Sequence, residues 1–328
     1  MLDLLSIGDA TLDVFLTPSE SQVLCHMDNK KCHVCFSYAE KIPVKELEVT
    51  IGGNAANNSV GTRRLGVASG VVLTLGGDNI AKQILEKLQS EGVDTTFVMM
   101  QQSAASDYST IITYSGERTI LTYKSPRSYE FPVKLPGVSW VYLTSMGDTF
   151  APFYNHLLDW LMVNPQISLA FNPGGRQIKL GLAAIGKMIA RSRIIFVNRE
   201  EAEKLTGTPP SAGKEKELLD ALVKLGVKNP IVTDGANGSF VFDGRQYLKC
   251  GILPVDAYER TGAGDAFGSG CLSAIIKGKD FSESLLWGTV NSASVIGYTG
   301  GQRGLLKENE MPVWLERARS SGVKVETF

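Results

Sequence analysis

The chain has 328 residues, and its 33 Lys and Arg against 34 Asp and Glu give a formal net charge of −1 without a long run of either sign. This balance excludes the basic surface that nucleic-acid binding requires, and no apolar stretch approaches the roughly 20 residues of a membrane span. We therefore expect a soluble, cytoplasmic protein that acts on a small molecule.

The first third of the chain combines predicted strands with a predicted helix. LDLLSIGDATLDVFL has the pattern of a buried strand ending at Gly8 and Asp9, and the polar stretch after it contains short, strand-like apolar runs. A helix is predicted from Asn54 to Arg64, followed by a strand in GVVLTL. The alternation in residues 107–124, with a turn at Ser115–Gly116, predicts a β-hairpin.

The remainder alternates strands with helices. Strands are predicted in WVYLT, ISLAF, IIFVN and PIVTD, and helices near 152–163, 181–190, 200–206 and 215–225. This rhythm predicts an α/β fold whose mostly parallel sheet is covered by helices on both faces. Residues 263–298 are helical in pattern and rich in Gly, Ala and Ser, which let backbones or a flat ligand come close.

Two β-rich segments, at about 15–50 and 105–125, are the only breaks in this composition. We expect them to form a small sheet that stands off the main domain as a lid. No linker is visible, so we predict a single domain over residues 1–328. The exposed strand edges of such a lid favour a homodimer through it.

The segment ERTGAGDAFGSG places a Gly-Ala-Gly turn where a helix begins, after a predicted strand in ILPV. The unpaired N–H groups of Gly262, Ala263 and Gly264 and the helix dipole would attract an anion. Asp265 either interacts with the dipole alone or accepts a proton from a hydroxyl. The glycines favour the second role, because phosphoryl transfer needs both an anion cradle and a carboxylate.

With this motif and IGGNAANNSVGTRRLG near the N-terminus, the chain resembles the PfkB carbohydrate kinases of the ribokinase-like superfamily over nearly its whole length. The resemblance implies a ribokinase-like three-layer α/β/α fold with a small β-sheet lid. It also implies transfer of the γ-phosphoryl group of ATP to a hydroxyl. Asp265 would then be the catalytic base, and Gly262, Ala263 and Gly264 the anion hole.

The resemblance further implies two sets of binding residues. Gly52, Gly53 and Asn57 would contact a sugar, and Asp13 would hold its hydroxyls. The residues implied for the nucleotide and for magnesium, the latter through Glu201 and water, are Asn198, Glu201, Thr233, Gly235, Gly238 and Asn291. Asn198 could instead be an ordinary helix cap, and Gly235 and Gly238 could form an ordinary turn between two strands. Binding is favoured because all these motifs occur along the chain in the same order as in the family.

Glu259 and Arg260 stand where family members commonly have Asp-Thr. In many members that Asp helps to hold a monovalent cation which steadies the anion hole. The longer Glu259 leaves either a shifted cation site or none. Arg260 either brings a positive charge near the ATP phosphates or points to solvent.

Three other patterns have weaker support. GLAAIGKM is one residue short of a P-loop, because Met188 stands where the magnesium-binding hydroxyl should be. No G-x-G-x-x-G fingerprint follows the first strand, so a dinucleotide-binding dehydrogenase is not expected.

The segment CHMDNKKCHVC brings Cys25, Cys32 and Cys35 together with two His, which suits zinc. Because alternation along a hairpin separates neighbouring side chains, and because an odd count of 5 Cys favours thiols, we expect reduced, unliganded cysteines instead.

These features together predict an ATP- and Mg²⁺-dependent sugar kinase. A nucleoside kinase is the alternative, because Phe15, Phe36 and Tyr38 lie in or near the predicted lid, where they can stack on a base. Phosphorylated sugars rank third; Arg118 is the cation that would favour them. A catalytically weak protein that binds sugar and nucleotide as a regulator is the remaining hypothesis.

Overall fold

The structure is a computed structural model that describes residues 2–20, 22–26, 31–114, 117–210 and 213–328. Its strands, in chain order, are β1 (Leu4–Gly8), β2 (Thr11–Pro18), β3 (Gln22–His26), β4 (Lys31–Cys35), β5 (Val44–Gly52), β6 (Ser69–Gly76), β7 (Asp94–Gln101), β8 (Asp107–Tyr114), β9 (Glu117–Tyr123), β10 (Trp140–Leu143), β11 (Ser168–Phe171), β12 (Ile194–Asn198), β13 (Asn229–Thr233), β14 (Ser239–Phe242), β15 (Tyr247–Cys250) and β16 (Val325–Thr327). Its helices are α1 (Asn54–Arg64), α2 (Asn79–Ser90), α3 (Ala151–Val163), α4 (Gly175–Leu180), α5 (Leu182–Arg191), α6 (Arg199–Thr206), α7 (Glu215–Lys224), α8 (Ala263–Ile276), α9 (Phe281–Val295) and α10 (Met311–Ser320).

The central sheet has the strand order β16-β15-β14-β13-β12-β11-β10-β1-β6-β7. All neighbouring strands from β13 to β7 pair in parallel, and β14, β15 and β16 extend the sheet in antiparallel fashion. The predicted α/β class with a mostly parallel sheet is therefore confirmed. Because the parallel strands end at one edge, the loops that follow them meet there.

Helices cover both faces of this sheet. Along β10, Val141 and Leu143 belong to a core cluster that includes α3 and α5, whereas Trp140 and Tyr142 belong to one that includes α8, α9 and α10. Successive strand residues thus point into different helical layers. This three-layer packing explains why the strands are continuous apolar runs. Within the described ranges, no helix combines the length and apolar character of a membrane span.

A second sheet has the order β5-β2-β8-β9. Strands β2 and β8 pair in parallel, and β8 and β9 form the predicted antiparallel hairpin, whose turn at Ser115–Gly116 lies outside the described residues. The register places Thr50 and Ser109 on either side of Asp13 on one face of this sheet. Its action as a lid stays a prediction.

The short sheet of β3 and β4 contains the cysteine-rich segment, and its register sets Cys25 opposite Cys32. Cys32 is disulfide-bonded, so the prediction of reduced thiols is wrong for this residue, whereas Cys35 is a free thiol. The reason lies in the antiparallel pairing, which brings cross-strand residues into the distance range of a disulfide. No metal-binding group of three side chains occurs among the described residues, which do not include the side chains of Cys25 and His26.

The strand predicted in ILPV is also wrong. Residues 252–255 have no regular secondary structure, and the strand before the Gly-Ala-Gly turn is β15, which ends at Cys250. Pro254 has no N–H group to donate to a neighbouring strand. Leu253 is nevertheless buried, so the apolar pattern reflects packing against the core and not strand pairing.

Candidate active site

The predicted acceptor residues and the predicted base meet where α1 approaches α8. The Nδ2 atom of Asn57 donates a hydrogen bond of 2.8 Å to Oδ2 of Asp265. The two helices come this close because Gly61 faces Ser269, where a Cβ would overlap the serine side chain. Gln302 donates through Nε2 to Oδ1 of Asn57 at 3.1 Å, which turns the amide nitrogen of Asn57 towards Asp265.

Asp13 borders the same region from the second sheet. A Cβ at Gly52 would overlap its carboxylate, and Gly53 has φ 93, a conformation that favours glycine. Asp13 is 8% exposed, and its Oδ1 atom has no hydrogen-bond partner within the described part of the chain. Burial raises the pKa of Asp13 despite hydrogen bonds from Ser109 and Thr11. The site therefore contains a buried acceptor atom that a ligand hydroxyl can satisfy.

Asp265 lies in the first turn of α8, directly after the turn that contains Gly262. Burial raises its pKa from 3.8 to about 6, against the opposing effect of the hydrogen bond from Asn57, and the charge of Asp13 raises it further. A carboxylate with this pKa is mostly ionised at neutral pH and still takes up a proton readily. Asp265 thus has the properties of a general base.

The turn before Asp265 exposes backbone donors. Gly262 has φ 79 and packs against Gly301, where a Cβ would overlap the Gly301 backbone. The N–H group of Ala263 contacts the Arg260 carbonyl at 3.4 Å, and in the described ranges the N–H groups of Gly264 and Asp265 have no protein acceptor. The N–H group of Gly262 also has no acceptor within these ranges, so Gly262 and Gly264 are the available donors among the three predicted anion-hole residues, and Asp265 adds another.

A cavity of about 480 Å³ adjoins this turn. Ala263, Gly264 and Arg260 are among the residues that line it, and Arg260 is also exposed to solvent. The predicted nucleotide residues among its other lining residues are Thr233, Gly235 and Gly238, and the apolar ones include Leu253, Val255, Phe267, Ala293 and Ile296. The cavity combines an apolar wall with a helix N-terminus, which suits a flat ring that carries phosphates.

Asn291 does not border this cavity. It is fully buried, donates through Nδ2 to the Ala266 carbonyl at 2.7 Å, and accepts from the N–H group of Leu306 at 2.9 Å. Its amide therefore joins α8 to α9 and to the loop after α9. The neighbouring Ser292 and Ala293 line the cavity instead.

Asn198 and Glu201 form a capping box at the start of α6. The Asn198 side chain accepts from the N–H group of Glu201 at 2.9 Å, and the Glu201 carboxylate accepts from the N–H group of Asn198 at 3.0 Å. Burial raises the pKa of Glu201. The buried Tyr142 hydroxyl has its pKa raised by burial and by the charges of Asp265 and Glu201, so both carboxylates face one region.

Sequence reasoning missed a buried ionic cluster beside Asp13. Lys124 follows β9, and its Nζ atom lies 3.2 Å from Oδ2 of Asp9 and 2.8 Å from Oδ2 of Asp107. Tyr129 donates to the other oxygen of Asp9 at 2.9 Å. Burial lowers the pKa of Lys124, but the two carboxylates outweigh this effect and raise it. Asp9 directly after a strand end was the available sequence signal; nothing local identifies Lys124 as its partner.

Comparison with known proteins gives a consistent result. A family model described as pfkB family carbohydrate kinase matches residues 3–308. An ATP-dependent 6-phosphofructokinase of Thermoanaerobacterium thermosaccharolyticum is 25% identical over 314 residues, which cover 91% of this chain and 89% of that protein.

Two solved structures share the fold. One is a ribokinase of Arabidopsis thaliana complexed with ribose and ATP, with a TM-score of 0.79, 20% identity and coverage of 96% of this chain and 99% of that one. The other is a nucleoside kinase of Burkholderia thailandensis in complex with inosine, with a TM-score of 0.75, 19% identity and coverage of 97% and 99%. The named acceptors of these similar proteins therefore include both sugars and a nucleoside.

Proposed function

The chain belongs to the pfkB family of carbohydrate kinases, and on this premise we propose that it transfers the γ-phosphoryl group of ATP to a hydroxyl of a small sugar. The main support is the position of Asp265. Its carboxylate bonds to Asn57 on the acceptor side, and its own turn borders the cavity of about 480 Å³ on the other. A base between an acceptor site and an anion cradle is the arrangement that in-line phosphoryl transfer requires.

The sugar would bind between α1 and the second sheet. Asp13 Oδ1 and Thr50 Oγ1 are buried polar atoms without a partner in the described residues, and both belong to strands of that sheet. The Asp13 oxygen would accept a hydrogen bond from a sugar hydroxyl, and the Thr50 hydroxyl would donate one or accept one. Asn57 would hold the reacting hydroxyl near Asp265, which takes its proton as the new O–P bond forms.

The nucleotide would occupy the cavity beside α8, with its phosphates at the Gly-Ala-Gly turn. The N–H groups of Gly264 and Asp265 and the positive end of α8 would then stabilise the negative charge of the transferring group. Thr233, Gly235 and Gly238 also line this cavity and would contact the rest of the nucleotide.

Asn198 and Glu201 are the residues that would hold a magnesium ion. Both side chains carry oxygen atoms, the kind of ligand that magnesium prefers, and the ion would take its other ligands from ATP and water. Such an ion neutralises charge on the phosphates. The capping box uses one oxygen of Glu201 for the Asn198 backbone, so the second oxygen is the one available to a metal-bound water.

The second sheet would act as the lid of this site. Asp13 and Thr50 belong to it, so an acceptor bound to these residues contacts the sheet directly. Closure would exclude water that otherwise competes for the phosphoryl group.

A nucleoside is the second candidate acceptor. Phe15 and Ile111 are paired neighbours on the same face of the second sheet as Asp13 and Ser109, so an apolar row lies beside the polar one. A nucleobase can pack on such a row while its ribose takes the polar contacts. The nucleoside kinase in complex with inosine has the same fold, which supports a nucleoside as the second candidate acceptor.

ATP consumption by the purified protein, with magnesium and a panel of neutral sugars, phosphorylated sugars and nucleosides, distinguishes these functions. We expect turnover to depend on a neutral sugar. Turnover only with nucleosides would support the second candidate. ATP binding without turnover of any acceptor would support a regulatory protein instead.

A further inference from the structure

An ion pair joins the second sheet to the loop that precedes the Gly-Ala-Gly turn. The NH1 atom of Arg118, on β9, lies 3.0 Å from Oε1 of Glu259. The Arg118 side chain is 34% exposed and that of Glu259 only 5%. The carboxylate is therefore buried, and its charge is compensated by a residue that belongs to the other sheet.

Glu259 in turn fixes the start of the anion cradle. Its Oε1 atom accepts hydrogen bonds from both the N–H group and the hydroxyl of Thr261, the residue immediately before Gly262. The N–H groups of Tyr258 and Glu259 both donate to the Ile296 carbonyl, at 2.8 and 3.1 Å. The backbone of Tyr258 and Glu259 is thus held by Ile296, and the position of Thr261 depends on where the Glu259 carboxylate lies.

A buried carboxylate without a counter-charge is costly, because its desolvation is not offset. Oε2 of Glu259 already lacks a partner within the described part of the chain, so Arg118 supplies the positive charge nearest to this group in the structure. If the second sheet moved away, Arg118 would leave with it. Glu259 would then have to turn towards water, and its bonds to Thr261 would be disturbed.

We propose that Arg118 is a positioning residue that couples closure of the second sheet to the assembly of the anion cradle. Its guanidinium holds Glu259, Glu259 holds Thr261, and Thr261 sets the course of the chain into Gly262. This inference rests on the proposed kinase function. It means that the phosphate cradle is complete only while the sheet lies over the acceptor site.

The same contacts bear on the monovalent cation that the family resemblance implied beside Glu259. The available oxygens do not fit such an ion. Oε1 of Glu259 is taken by Arg118 and Thr261, and the Ile296 carbonyl already accepts two N–H groups. Within the described ranges, Oε2 is the oxygen of the Glu259 carboxylate that has no partner, and the guanidinium charge of Arg118 beside this carboxylate would repel a second cation. Arg118 therefore takes the place of the ion, and activity should not depend on potassium.

The ion pair between Arg118 and Glu259 also bears on whether the acceptor carries a phosphate group. Arg118 is the cation that the sequence offered for a second phosphate, but its charge is paired with Glu259 in the structure. A phosphate at this position would have to compete with a buried carboxylate. The ion pair consequently favours neutral acceptors.

A matched control is available in the chain. Arg303 and Glu48 form another ion pair between the main domain and the second sheet, at 3.3 Å. Their side chains are 62% and 36% exposed, and neither bonds to the loop before Gly262. Arg303→Ala removes a contact between the same two parts without removing a hydrogen bond of residues 258–264.

The test compares wild type, Arg118→Ala, Arg118→Lys and Arg303→Ala in two assays. The first measures kcat and acceptor KM in potassium and in tetramethylammonium salts of equal ionic strength. The second measures amide hydrogen exchange of residues 258–264 in the protein without ligands. Thermal melting shows whether each variant is folded.

We expect wild-type rates to be equal in both salts. Arg118→Ala should lower kcat by roughly tenfold or more, since a displaced cradle loses transition-state contacts. It should also speed exchange of the amides of Tyr258, Glu259 and Thr261. Arg118→Lys should have a kcat and amide exchange rates between those of Arg118→Ala and wild type. Arg303→Ala should match wild type in both measurements.

Strong activation of the wild type by potassium, or wild-type exchange at residues 258–264 in Arg118→Ala, would overturn the proposal. If Arg118→Ala does not fold, the proposal is decided by the activity of wild type in the two salts and by the Arg118→Lys variant. If the wild type turns over no acceptor, the kinase function has failed, whereas the exchange assay still decides whether Arg118 positions the loop.

Discussion

Asn57 and Asp265 lie 208 positions apart in the chain, and the amide of one donates a 2.8 Å hydrogen bond to the carboxylate of the other. This bond joins α1, which follows Gly52 and Gly53, to α8, which begins at the Gly-Ala-Gly turn. Asn57 therefore touches the proposed base while it borders the proposed acceptor site. The pair is where binding of the acceptor and removal of its proton would meet.

The first prediction concerns the pH dependence of activity. Burial holds the pKa of Asp265 at about 6, so kcat/KM should fall as the pH drops through about 6, because the protonated carboxyl cannot act as a base. The bond from Asn57 lowers this pKa, so Asn57→Ala should move the acid limb to higher pH. Initial rates from pH 5 to 8 check both statements. An acid limb near 4 in wild type would contradict the assignment of Asp265.

The second prediction concerns stability. An Asp whose pKa is about 4 in an unfolded chain and about 6 in the folded protein binds its proton more tightly when folded. The stability that this proton confers is therefore present below about 4 and lost as the pH rises through about 6. Asp265→Asn, which removes the charge, should melt at a higher temperature than wild type at pH 7.

Melting curves at pH 4 and pH 7 test this directly. The difference between Asp265→Asn and wild type should be largest at pH 7 and small at pH 4. A variant that is less stable than wild type at pH 7 would show that burial of the Asp265 charge is not costly.

The third prediction concerns Gly264. A Cβ at this position meets no atom within 4 Å, and the residue lines the cavity beside the cradle. Gly264→Ala should therefore stabilise α8 by roughly 0.5–1 kcal/mol through helix propensity. It should also lower kcat strongly, because the methyl group would occupy space that the phosphates need. Gly186→Ala in α5, far from the cradle, should be neutral or stabilising and fully active.

The fourth prediction concerns Gly52, where a Cβ would overlap the Asp13 carboxylate. Gly52→Ala should displace that carboxylate and raise the acceptor KM by roughly tenfold or more, as expected for a lost charged hydrogen bond. The KM for ATP should change little, since Gly52 does not line the nucleotide cavity. Steady-state kinetics with either substrate varied separate the two effects, and an equal rise in both KM values would contradict the assignment.

The sequence predicted best where the physical cause is local. Continuous apolar strands that alternate with helices indicated a parallel sheet, and the glycines before Asp265 indicated a helix start, which the structure has at Ala263. That this helix start binds an anion stays a prediction. The family resemblance supplied the roles of Asp13, Asn57 and Glu201, which stay predictions. A local pattern also gave a wrong prediction. The apolar segment ILPV resembled a strand, but Pro254 prevents regular pairing, and residues 252–255 line the cavity instead.

The features that were missed depend on contacts between distant segments. Neither Arg118 nor Glu259 carries a local signal for the other, because their pairing exists only once the second sheet lies against the main domain. Asn291 is a further example. The family resemblance implied nucleotide binding for this residue, which stays a prediction, and in the structure its amide bonds to buried backbone groups of α8 and of the loop after α9. A sequence does not reveal which buried polar group will need a partner.

Comparison of wild type with Asp265→Asn decides whether Asp265 is the base of an ATP-dependent sugar kinase. ATP consumption with each acceptor of the panel should be measured for wild type and Asp265→Asn, together with ATP affinity. We expect sugar-dependent turnover that falls by roughly 10²- to 10⁴-fold in the variant while ATP affinity is nearly unchanged. Wild-type turnover in Asp265→Asn would contradict it.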